Sequence, residues 1–232
     1  MKHLRTSLSI VALAALVAVG VTAPASASPA DTLAAKTAGA KPSPKPRVAF
    51  DQSFTRWLVS PRGHIDGMLL ADGAEVRIPR GYDVDPKLQA GDVVHVDAIP
   101  HAMADGTLYF RPIVKKGLDV IVDASGKPQQ AAQPGAKIKL QPMKVTGTVA
   151  GFLLDGAGRH VGVVLADGTE AWVHGHADLA ELGVKKGETL TVQGPGGAYA
   201  AGTALFAKKL TLADGKVVEV PSPKWKGAAD KK

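Results

Sequence analysis

The chain has no cysteine and few aromatic residues, with five Phe, three Tyr and three Trp making up 5% of its 232 positions. The first absence excludes a disulfide-stapled scaffold, a thiolate-ligated zinc or iron–sulfur centre, a cysteine nucleophile and a lipid-modified N-terminal cysteine. The second leaves little material for the ring platforms on which single-stranded nucleic acids stack. Catalytic motifs are missing too: there is no Gly-x-Ser-x-Gly, no His-Glu-x-x-His and no phosphate-cradling glycine loop followed by Lys-Ser/Thr. Asp66, Asp72 and Asp92 fall at turns, where Asp serves the backbone. The sequence therefore reads as non-enzymatic and without a cofactor.

At the N-terminus, the basic start Met1–Arg5 precedes an apolar run from Ile10 to Val21, and Ala25-Ser26-Ala27 supplies small residues ahead of a cleavage point. This is a signal-peptide pattern, with an expected leader over residues 1–27 and an exported, periplasmic or extracellular product. The run is too short to anchor the chain in a bilayer, and nothing after it is apolar enough to span one. The net charge of +7 sits outside the core: the leader carries two positive charges, residues 28–47 carry +3 and residues 216–232 carry +3, leaving 48–215 at −1. Both tails are rich in Pro, Ala and Lys and share the phrase Pro-Ser-Pro-Lys, at 42–45 and 221–224. They read as extended segments for spacing and solubility, or for weak contact with an anionic surface.

An internal repeat organises the remainder. Leu70-Ala71-Asp72-Gly73-Ala74-Glu75-Val76 returns as Leu165-Ala166-Asp167-Gly168-Thr169-Glu170-Ala171, 95 positions on. Gly91-Asp92 answers Gly187-Glu188, and Gly106-Thr107 with Phe110 answers Gly202-Thr203 with Phe206, at an offset of 96. Three separated anchors in register mark a duplication. Period-2 alternation between turn residues predicts strands at 53–60, 64–71, 75–79, 92–99 and 107–114, and again at 143–154, 160–166, 170–174, 188–194 and 202–212. Asp72-Gly73 and Asp167-Gly168 predict hairpins closed by two-residue turns. Between the third and fourth strands, Ala177–Leu182 followed by Gly183 reads as a short helix with a glycine stop, matched by Pro86–Gly91 in the first copy. Segments 118–123 and 217–220 read as edge strands, and Gly194-Pro195-Gly196-Gly197 as a loop between the last two strands of copy two.

Strand, strand, strand, short helix, strand, strand, twice over, resembles the OB-fold, a five-stranded Greek-key barrel plugged by a helix. The resemblance implies an all-β chain of two tandem barrels, each with a short helix between its third and fourth strands. The Leu-x-Asp-Gly-Thr-Glu phrase is also similar to repeats in bacterial envelope proteins. Expected boundaries are a leader at 1–27, a Pro/Lys-rich tail at 28–47, a first barrel at 48–124, a linker at 125–138, a second barrel at 139–220 and a basic tail at 221–232.

Alternation along 170–174 turns Ala171 and Val173 inward, like Val76 and Ile78 in copy one, and turns Trp172 outward where copy one has Arg77. OB-folds meet ligands on this face, which makes Trp172, Arg77, His174, Glu170, Glu75 and Arg111 the candidate ligand-binding residues. The competing reading packs Trp172 against the neighbouring barrel and leaves Arg77, Arg80 and Arg111 as surface charges. His174 and His176 are candidate metal ligands, with Asp178 and His160 nearby, but structural zinc wants four placed ligands and no second pair accompanies them; clustered His could otherwise sense pH. The expected function is an exported binding module of the bacterial cell envelope, holding a glycan, peptide or protein partner on the barrel faces or in the groove between barrels. Two alternatives stand beside it: a structural or assembly protein acting through its tails and sheet edges, and a binder of single-stranded nucleic acid, against which the core charge of −1 argues.

Overall fold

The structure is a computed structural model that describes residues 45–104, 106–128, 139–173 and 177–221. They lie in one compact unit, Pro44–Lys232. The leader, most of both tails, most of the linker and the His174–His176 segment fall outside the described residues.

Copy one forms β1 (Val48–Val59), β2 (Ile65–Leu70), β3 (Glu75–Arg77), β4 (Val93–Met103), β5 (Gly106–Lys116) and β6 (Asp119–Asp123). Copy two forms β7 (Gln141–Leu154), β8 (His160–Leu165), β9 (Glu170–Trp172), β10 (Thr189–Tyr199), β11 (Gly202–Phe206), β12 (Lys209–Thr211) and β13 (Val217–Glu219). In the first sheet β3, β2, β1, β4 and β5 are neighbours in that order, and a parallel pairing of β3 with β5 closes the ring. In the second, β9, β8, β7 and β10 repeat the order and β11 closes on β9, again in parallel. The molecule is thus all-β, with two tandem five-stranded closed barrels whose strand order is consistent with an OB-like fold. Both β3 and β9 are only three residues long, so they cover only part of the closing edge. The rest is taken by the edge strands, β6 on β5 and β13 on β12.

Alternation fills the two barrels separately. Val94, Val96 and Ala98 on β4 point into the first, with Met68, Leu70 and Val76. Leu190 and Val192 on β10 point into the second, with Val163, Leu165 and Ala171. The copies touch where outward residues of β1, β2 and β3 meet those of β7, β8 and β9.

Three expectations require correction. The described residues contain no helix in either barrel. Ala177–Gly183 makes one turn: the Leu182 amide bonds to the Asp178 carbonyl at 3.1 Å, and Gly183, at φ +92°, turns the chain so that the Val184 amide reaches the Leu179 carbonyl at 3.0 Å. Six residues before a glycine cannot extend a nucleus that is costly to form, yet the turn still plugs the barrel by placing Leu179 and Val184 in the core. Pro86–Gly91 does the same with Leu88 alone. The Asp-Gly hairpins are three-residue loops, since Gly73 and Gly168 have φ of +84° and +87° while neither Asp does; a type I turn followed by a left-handed glycine joins the strands. Finally, 194–197 is not a loop but lies inside β10. A Cβ on Gly194 would stand 1.7 Å from the Phe206 carbonyl oxygen, and one on Gly196 2.4 Å from that of Ala204. The glycines let two backbones cross in contact.

Candidate functional site

The barrels meet through residues related by the 95-residue repeat. Leu58 and its counterpart Leu153 are completely buried together, with Val164 and its counterpart Leu69 packed on them. Around this apolar centre the polar contacts are reciprocal. Both Glu170 carboxylate oxygens lie 3.0 Å from the Val59 amide of the other barrel. Glu75, the equivalent of Glu170, accepts from the amide of Leu154, the equivalent of Val59, at 3.4 Å. Two residues further on, Trp172 donates its indole N–H to the Val59 carbonyl at 3.1 Å, and Arg77 donates to the Leu154 carbonyl at 2.6 Å. Each barrel thereby clasps both polar groups of one peptide residue on the other. Where the two clasps meet, the Arg77 guanidinium lies 5.1 Å from the Trp172 ring centroid, a cation–π contact.

This geometry places four sequence candidates, Glu75, Arg77, Glu170 and Trp172, within the contact between barrels. Arg111 is on the outside of β5, at a bulge opposite β4, with φ 52°; its guanidinium donates to the Ser125 carbonyl and its own carbonyl accepts from Arg47 at 3.1 Å. His174 and His176 lie outside the described residues, and among the described residues no three His, Asp or Glu side chains group as a metal site. His160 and Asp178 do meet, Nδ1 to Oδ1 at 3.1 Å. Burial works to raise the Asp178 carboxyl, but the Ala180 and His160 amides and the His160 ring hold it below the ordinary value.

The interface carboxyls behave oppositely. Burial pushes Glu170 up to about 8, against the opposing pull of the Val59 amide and the Arg56 charge. Burial also raises Glu75, which has the Arg77 guanidinium beside it as an ion-pair partner. Glu170 has Trp172 in that place, a donor without charge.

Beyond the clasp the symmetry breaks. On one flank Arg56, from β1, crosses to the Gly168 carbonyl in the hairpin loop of the second barrel. Gly151 occupies the equivalent place on β7: Arg56 pairs with Leu69 and Gly151 with Val164, each just after a bulge. With no side chain there, the equivalent flank is open as a cleft of about 810 Å³ between the barrels. Asp72, Gly73 and Tyr109 line it from the first barrel, and Gly151, Phe152 and Lys186 from the second. The sequence points to a groove between the barrels but not to these walls, because their signal is a difference between the copies, Arg56 against Gly151, visible only once the register of β1 and β7 is aligned.

No family model, curated protein or solved structure matches the chain. No helix among the described residues is long and apolar enough to cross a membrane.

Proposed function

We propose that the chain is an exported, non-enzymatic binding module of a bacterial cell envelope, holding a glycan, peptide or protein partner in the inter-barrel cleft. The observation that carries this reading is the cleft itself, about 810 Å³ in volume, in the size range of small-ligand sites, and walled by both barrels. The signal-peptide pattern of residues 1–27 supports export. Ligand contact falls to the cleft walls, because Trp172, Arg77, Glu75 and Glu170 are engaged in joining the barrels. The test is a binding panel of neutral glycan, acidic peptide, basic peptide and single-stranded DNA against the full chain, with amide shifts at Gly73, Gly106 and Gly151 as readout. Saturable movement of these amides supports the reading, and none with any member contradicts it.

A second reading draws on the charge at both ends, +3 in residues 28–47 and +3 in 216–232. It makes the chain an assembly component held to anionic polymer by its tails. Its mark is binding that vanishes at high salt and persists when the cleft is blocked.

A further inference from the structure

We infer that the cleft is a socket for an arginine side chain presented by a peptide or protein partner. This deepens the binding-module reading and rests on it.

The filled flank shows what the cleft lacks. There the molecule supplies its own arginine: the Arg56 guanidinium sits against the Asp167-Gly168 loop and donates to the Gly168 carbonyl. A Cβ on Gly168 would run into that guanidinium, 2.7 Å from its central carbon, whereas a Cβ on Gly73, at the same place in the other loop, meets nothing within 4 Å. Gly151, standing for Arg56, also faces open space. Gly202 lies by the Arg56 guanidinium, and its counterpart Gly106 lines the cleft. The same loop conformation, the same bulge and the same glycines thus recur around open space at the place where Arg56 stands opposite.

The chemistry of the empty loop suits a guanidinium better than that of the filled one. In the second barrel the Thr169 hydroxyl donates to Asp167 Oδ2 at 3.0 Å. Ala74 replaces that threonine in the first barrel, so Asp72, whose Oδ1 takes the Ala74 amide at 2.9 Å, has no hydroxyl on its other oxygen. A carboxylate oxygen beside the glycine carbonyl adds a charged acceptor to the carbonyl that Arg56 uses opposite, and a guanidinium with several donors can use both. Of the two lysines on the rim, Lys185 is paired with Glu188 at 3.5 Å, which leaves Lys186 as the rim cation against Asp72 within.

The test titrates the isotope-labelled full chain with three capped pentapeptides, identical except for a central arginine, lysine or citrulline. The expected result is saturable movement of the Gly73, Gly106 and Gly151 amides with the arginine peptide, weaker by about tenfold or more with the other two. Gly151→Arg should abolish the response by supplying the missing side chain; Gly151 does not have a left-handed φ, so its backbone accepts one. Asp72→Asn, which keeps the loop bond to Ala74, should weaken binding severalfold. Equal responses to all three peptides, or an undiminished response in Gly151→Arg, would overturn the inference. If a glycan or acidic peptide moves the cleft amides and the arginine peptide does not, the arginine socket falls and the binding module stands; if nothing moves them, both fall.

Discussion

On one flank of the barrel contact a guanidinium fills the space between β1 and the opposite hairpin loop; on the other, the same backbone surrounds a cleft of about 810 Å³. The strand, its bulge and the glycine loop are common to both flanks; Arg56 on one answers Gly151 on the other, and Thr169 in one loop answers Ala74 in the other. The centre of the contact, by contrast, kept its symmetry. Leu58 with Leu153, Val59 with Leu154 and Glu75 with Glu170 make matching contacts from the two sides. Duplication followed by divergence at the flanks gives a rigid joint and, beside it, a concavity that neither barrel has alone. The comparison teaches that a repeat should be read for where its copies disagree, since agreement marks the joint and disagreement the opening.

Several substitutions break or sharpen that contrast. The largest loss should follow Trp172→Ala, which removes both the indole bond to Val59 and the packing on Leu58 and Leu153; urea unfolding should show about 3 kcal/mol. Replacing Arg77, its equivalent, removes less apolar area and should cost less.

Next is pH. A folded Glu170 with a pKa of about 8 keeps a proton that the unfolded chain releases near the ordinary glutamate value of 4.5. Stability from this group is therefore greatest in acid and declines as pH rises from about 5 to about 8. Glu75 contributes in the same direction. Glu170→Gln, isosteric and neutral, should flatten most of the dependence in unfolding midpoints measured across that range.

The third effect compares β4 with β10. Ala98 is accommodated in the first barrel, but Gly194 at the equivalent place faces a carbonyl oxygen 1.7 Å from where a methyl would be. Gly194→Ala should cost about 2 kcal/mol in chemical unfolding. Arg56→Ala would make both flanks open; a charge-assisted bond is lost, so about 1–2 kcal/mol is expected, together with a second cleft that admits small solutes in relaxation experiments. Smallest of all should be Trp57→Phe. The indole nitrogen of Trp57 is buried without a partner, and the second copy has Phe152 there. Relief of the unpaired N–H offsets the lost volume, and the midpoint should move by less than about 1 kcal/mol.

How much of this was legible in the sequence differs by level. The repeat, the strand order and the inward turn of Ala171 and Val173 follow from spacing and alternation, because barrel interiors impose period 2 on every strand. The short helices are not there to be read: Ala177–Leu182 has helix-forming residues, but one turn ended by Gly183 satisfies the connection. The Gly-Pro-Gly-Gly run resembles a loop to any composition rule, and only the crossing of β10 over β11 explains its glycines. For the site, alternation correctly turned Glu75, Arg77, Glu170 and Trp172 away from their own barrels. Nothing local tells that the outward face of a strand is covered by a second barrel, so charges that look solvated are in fact buried. Arg56 and Gly151 carry no motif, and the cleft they define is a property of the pair.

Each barrel's glutamate holds a backbone amide of the other. Amide hydrogen exchange of the full chain, compared with Glu75→Ala and Glu170→Ala, tests it most directly. The account predicts that Glu170→Ala releases protection at Val59 and Glu75→Ala at Leu154, each across the interface, with the core amides of Val96 and Val192 unchanged. Loss of protection confined to the barrel carrying the substitution, with Val59 and Leu154 as slow as before, would contradict it.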